Sequence, residues 1–168
     1  MSPNDVTSDT GAARTDSEVA TVSPEDLAAV IQLGSEYWLR ADGVNRQPCS
    51  ELFVPEGELV LGSMHLTGRP AIESFFRQRE TTNRETRRVT RHVAANQVAS
   101  AAGPGRIRVR STVLVFSGTG DPPIPSAVPS GIADFEDLCV HVSGAGWFFE
   151  RKVGRTIFVG AGAPSFAR

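Results

Sequence analysis

Near Arg87 the hydrophobic pattern of this chain changes period, and that change constrains the fold more than any other feature. Before it, apolar residues recur at three- and four-residue spacing. Leu27, Val30, Ile31, Gly34 and Trp38 make one stripe of an amphipathic helix running to about Ala41. Ser23 can cap that helix, Pro24 suits its first position, and Asp26 sits where a capping-box acid belongs. A second short helix is expected over 46–53. A third opens at Thr67-Gly68-Arg69-Pro70, with Ile72, Phe75 and Phe76 inward and Arg77 and Arg79 outward, fraying near Thr82-Asn83. Between them Pro55-Glu56-Gly57 reads as a turn, and 58–61 with 64–66 as a short hairpin. Beyond Arg87, Val89, Arg91, Val93 and Ala95 alternate with Thr90, His92, Ala94 and Asn96, which is a strand pattern. Further strands are expected over 106–116, 133–142 and 147–160. Residues 117–131 hold four prolines and form a loop. Helices first and an antiparallel meander later make an α+β chain. The expected architecture is three helices on a strongly curved, mostly antiparallel sheet, with a cone-shaped cavity between them.

Charge divides the 168 residues unevenly. The formal net charge is −2, but residues 1–26 carry −5 and the rest +3. Residues 1–22 lack aromatics and are rich in Ser, Thr, Asp, Ala and Gly, so they are expected to form a disordered acidic tail. One domain over 23–161 and a short tail over 162–168 account for the remainder. The start has no basic and apolar leader pattern, which favours the cytoplasm. No run of about 18 apolar residues exists, so no membrane-spanning helix is expected. The two cysteines, Cys49 and Cys139, are far apart and form no Cys-x-x-Cys, so neither a zinc site nor a disulfide framework is expected. Dinucleotide and phosphate-loop fingerprints are missing, which points to cofactor-free chemistry without metal. Arg77, Arg79, Arg84, Arg87, Arg88 and Arg91 form a basic stretch with no aromatic between Arg77 and Arg91. That reads as a solvated helix end rather than a nucleic-acid surface, with an anionic substrate headgroup as a minor reading.

Four segments resemble the nuclear-transport-factor-2-like superfamily and its SnoaL-like group. They are 37–42 (YWLRAD) followed eleven residues later by Phe53, then 66–72 (LTGRPAI), 91–96 (RHVAAN), and 134–137 (DFED) with Gly146-Trp147 and Arg151. The resemblance spans about residues 24–160. It implies a cystatin-like α+β barrel and often a homodimer through the outer sheet face. It also implies an apolar small-molecule ligand, with the loop 117–131 capping the cavity or joining a dimer contact.

The resemblance places Asp42 and His92 where scytalone dehydratase and hexachlorocyclohexane dehydrochlorinase carry a catalytic aspartate and histidine. A carboxylate on one ring nitrogen fixes the imidazole tautomer, and the other nitrogen can then take a proton from carbon. The structural alternative is a helix-end aspartate and a satisfied core histidine. Tyr37, Asn96, Asp137 and His65 are second candidates for holding substrate. Asn96 shares a face with His92 if the strand is regular. Tyr37 lies about 140° from Asp42 around a regular helix. Asp137 could serve as a strand carboxylate or pair with Arg151 on the neighbouring strand. His65 sits beside the short hairpin. The expected function is a cofactor-independent lyase or isomerase acting by proton abstraction on a cyclic, polyketide- or steroid-like molecule. A non-catalytic binding or accessory protein of the same fold is the alternative. An epoxide-hydrolase or cyclase activity is a further one.

Overall fold

The computed structural model describes residues 21–125, 128–160 and 163. Most of the expected acidic tail and all of the C-terminal tail except Ala163 lie outside these residues, as do positions 126 and 127 of the Pro-rich loop.

Helix α1 (Pro24–Ala41) begins as its sequence requires. The Ser23 hydroxyl accepts from the Asp26 backbone N–H at 3.1 Å and donates to the Asp26 carboxylate at 2.9 Å. Trp147 Nε1 donates to the same carboxylate at 3.0 Å, so the helix start is tied to the last strand. Val30, Leu33, Gly34, Tyr37, Trp38 and Ala41 make the buried face.

The expected second helix over 46–53 is a single 3₁₀ turn, Cys49–Leu52. Pro48 stands immediately before it in an extended conformation, and four residues are too few for an α-helix to propagate. Among the described residues the fold therefore has two α-helices, not three. Strand β1 (Phe53–Leu61) then runs straight through the expected Pro55–Gly57 turn. The segment is a bulge instead: register with the last strand shifts between Phe53 and Glu58. A Cβ on Gly57 would lie 2.9 Å from the Phe53 Cβ and 3.2 Å from the Phe149 carbonyl oxygen, so glycine is required by close packing.

After β2 (Met64–Thr67) comes helix α2 (Arg69–Glu85), longer than its sequence pattern suggested. Strands β3 (Arg88–Ala101), β4 (Arg106–Thr119), β5 (Gly131–Val142) and β6 (Gly146–Val159) follow. The six strands form one sheet in the order β2-β1-β6-β5-β4-β3. All neighbours are antiparallel except β1 and β6. Because β2 and β3 have no further strand beside them among the described residues, the sheet is open, and the closed barrel expected from the resemblance is not formed. No helix among the described residues is long and apolar enough to cross a membrane.

The core lies between the two helices and the sheet. Tyr37, at 1% exposure, is its hub. Its ring meets Trp38, Phe53, Phe76 and Phe149 edge-on at centroid distances of 4.8, 6.1, 6.0 and 5.7 Å. Edge-to-face pairs of this kind each add ~0.5–1.5 kcal/mol beyond area burial, so the aromatic cluster fixes α1 against β1 and β6.

Candidate active site

Helix α1 delivers two groups to one ring. Trp38 and Asp42 are four residues apart and share a helix face. Trp38 stacks on the His92 imidazole at 4.5 Å and 16° between planes. Asp42, the C-cap of α1, accepts three hydrogen bonds from β3. The His92 backbone N–H donates to Oδ2 at 2.8 Å, Thr90 Oγ1 donates to Oδ1 at 2.7 Å, and His92 Nδ1 lies 2.7 Å from Oδ1. Burial by itself would raise the Asp42 carboxyl, but the bonds from His92 and Thr90 outweigh it and hold it below its ordinary value. An ionised carboxylate can only accept, so Nδ1 carries the hydrogen, and in the neutral imidazole Nε2 then keeps its lone pair.

Arg79 completes the arrangement from α2. Its guanidinium donates to the Ala41 carbonyl oxygen and, at 3.1 Å, to Thr90 Oγ1. The expectation that Arg79 faces outward is therefore corrected. It stands seven residues after Ile72 and three after Phe76, on the apolar stripe itself, and that spacing was the available signal. Its charge offsets a carboxylate placed unfavourably at a helix C-terminus.

His92 opens onto a cavity of about 690 Å³. The wall is largely apolar, with Trp38, Phe75, Phe76, Val115, Ile132 and Phe135 contributing. Thr90, Thr119, Ser130 and Thr156 add hydroxyls, and Arg79 and Arg88 add charge. Tyr37 also reaches the wall, and burial, with the nearby Cys49, pushes its phenol well above the usual range, so it stays protonated. Of the basic stretch expected to be solvated, Arg77, Arg84, Arg87 and Arg91 are exposed, while Arg79 and Arg88 belong to the cavity.

The other second-rank residues fall elsewhere. Asn96 does not share the face of His92. It adopts φ +52° at a bulge between Ala95 and Val98, which reverses the side-chain phase of β3 and turns Asn96 to solvent. His65 is exposed and lies 3.3 Å from Glu58 on the neighbouring strand. Asp137 is buried behind the aromatic layer and does not line the cavity. Its partner is Lys152 at 2.7 Å rather than Arg151, because Glu150 is bulged out of the β5–β6 register and brings Lys152 opposite Asp137. Arg151 pairs with Glu58 on the exposed side at 3.1 Å. Burial raises the Asp137 carboxyl, against the pull of Lys152.

Two helices across one face of an open, mostly antiparallel sheet, with a cavity between them, make the nuclear-transport-factor-2-like, cystatin-like class of α+β fold; here His92, held by Asp42 from behind, stands at the wall of that cavity. The sequence profile of the SnoaL-like domain matches residues 23–153, and the chain belongs to that family. Among solved structures it is similar to Aln2 from a Streptomyces species, at TM-score 0.67 and 23% identity, covering 82% of this chain and 94% of that one. ActVI-ORFA from Streptomyces coelicolor gives TM-score 0.69 and 19% identity, covering 81% and 98%. A Novosphingobium aromaticivorans protein provisionally named a scytalone dehydratase gives 0.64 and 22%, covering 84% and 96%. At these identities the likeness shows the fold. No curated protein matches the sequence significantly.

Proposed function

We propose that this protein is a cofactor-independent lyase or isomerase that removes a proton from a carbon next to a carbonyl in a ring-containing, largely apolar small molecule. The observation that carries this reading is the 2.7 Å contact between Asp42 and His92 Nδ1, which leaves Nε2 free at the wall of a cavity large enough for a ligand. Nε2 takes the proton, and the electron pair of the C–H bond becomes the enolate. Asp42 holds the ring and balances the imidazolium. Tyr37, a neutral phenol at the same wall, donates to the enolate oxygen. The imidazolium then returns its proton in one of two ways. Given to a leaving hydroxyl, it completes loss of water; given to a more distant carbon, it completes a double-bond shift. Membership of the SnoaL-like family and the name of the Novosphingobium relative support an enzymatic role. An epoxide-opening acid pair has less support, because no Asp or Glu among the described residues lines the cavity and Asp137 is engaged by Lys152.

Exchange of the α-protons of 2-tetralone in deuterated buffer, followed by NMR, tests this directly. The wild type should accelerate exchange, His92→Ala should lower the acceleration by about 10²-fold or more, and Asp42→Asn by at least about tenfold. Equal exchange in wild type and His92→Ala would remove His92 as the base. Binding of the ketone without any exchange would favour the non-catalytic binding protein.

A further inference from the structure

Arg88 opens β3 with its side chain on the face that carries Thr90 and His92, and it lines the cavity. Its neighbours Arg79, Arg87 and Arg91 all bond to protein groups. Arg88 has no such partner among the described residues, although it is half-buried. Burial, and then the charge of Arg79, both work against its protonated form. The wall offers no counter-charge: among the described residues two guanidiniums and an imidazole line the cavity, and no carboxylate does. A half-buried cation held without a counter-charge in a largely apolar recess is complementary to an anion that arrives with the ligand.

Strand geometry supplies the spacing. Arg88 and His92 lie four residues apart on one face, so their Cα atoms are about 13 Å apart. A flat ligand of two or three fused rings can touch both. The surface between them is Thr90, already committed to Asp42 and Arg79.

We propose that Arg88 anchors a carboxylate on the substrate, so that the ligands of this cavity are ring-containing carboxylic acids, held by the acid at one end with the acidic carbon presented to His92 at the other. This rests on the proposed function and names its substrate class. The planar fork of the guanidinium matches the two carboxylate oxygens, which fixes the ligand's direction in the cavity as well as its charge. A neutral ring system lacks that constraint and binds without a preferred end.

Isothermal titration with 2-naphthoate and with its uncharged isostere 2-naphthamide tests the anchor. Wild type should favour naphthoate by about tenfold. Arg88→Gln should bring the two within about twofold by weakening naphthoate alone, and the unchanged carboxamide affinity reports that the cavity is still folded. Arg88→Lys, which keeps the charge and loses the fork, should fall between them. Arg84→Gln, exposed and outside this cavity, should behave as wild type. A wild type without preference, or a preference that survives in Arg88→Gln, overturns the anchor and leaves His92-dependent exchange standing. An intact preference in a protein that catalyses no exchange removes the base and leaves the anchor. Failure of both ligands to bind overturns the inference outright.

Discussion

At the residue scale the site is organised by one carboxylate. Asp42 sits at a helix C-terminus, where a negative charge is unfavourable, and it is tolerated because β3 aims two side chains and a backbone N–H at it. Its carboxyl is held below the ordinary value near 3.8, which fixes the sign of its pH dependence. A depressed folded value means stabilisation that is complete above the unfolded value and lost as pH falls through the lower folded one. Asp42→Asn should therefore be less stable than wild type at neutral pH by ~1–3 kcal/mol. Its stability should also fall less steeply below about pH 4, where only the wild type loses this contribution. Urea unfolding at pH 7, 4 and 3 measures both, and parallel curves would show that Asp42 is not the titrating group. The pairing with His92 was legible only through the resemblance, since nothing in the spacing of residues 50 apart in sequence brings them together. Arg79 was legible without it. Its place seven residues beyond Ile72 put it on the buried stripe, and charge alone argued for the surface.

At the scale of elements, bulges decide what a strand presents. The periodicities that mark α1, α2 and the four long strands survive, because each reflects a whole buried face; the short stretch over 46–53 has no such face and yields only a 3₁₀ turn. Individual positions do not survive, because one inserted residue reverses every side chain beyond it. Asn96 leaves the cavity face for that reason, and Lys152 enters the core for the same one. No residue type near Glu150 announces the second bulge. Lys152 ends at 1% side-chain exposure, with its ammonium 4.4 Å from the Tyr37 ring centre, 4.6 Å from that of Phe149 and 5.0 Å from that of Trp38. The aromatic faces and Asp137 share in holding that charge. Lys152→Met would leave Asp137 buried and alone, with one of its oxygens already lacking a hydrogen-bond donor. A loss of ~3–5 kcal/mol is expected. The double change Asp137→Leu with Lys152→Met removes both charges and should recover most of it. Thermal unfolding of the two variants checks this; equal losses would mean that the strands need the charges themselves.

At the scale of the molecule, the cavity is space that a core of this size could have filled. Its walls alternate large rings with small residues: Ala41, Gly131, Ala133 and Gly154 stand among Trp38, Phe75, Phe76 and Phe135. One of the small positions is held by contact, since a Cβ on Gly154 would lie 2.5 Å from the Phe135 ring, and that ring is set edge-on against Trp38 at 5.1 Å. Ala133 carries no such constraint from its chemistry and faces the cavity from β5. Replacing it with a larger apolar side chain adds buried area in open space instead of displacing a neighbour. Ala133→Leu should therefore raise the melting temperature by about 2–4 °C, the shift that ~1 kcal/mol produces in a domain of this size. The same change should weaken 2-naphthoate binding at least about tenfold and slow tetralone exchange in parallel, because the added side chain occupies ligand volume. A variant that is stabilised and still binds would show that ligands sit elsewhere. One that is destabilised would show that the wall at β5 is already packed. A gain in stability joined to a loss of binding is the result expected of a core kept open for a ligand.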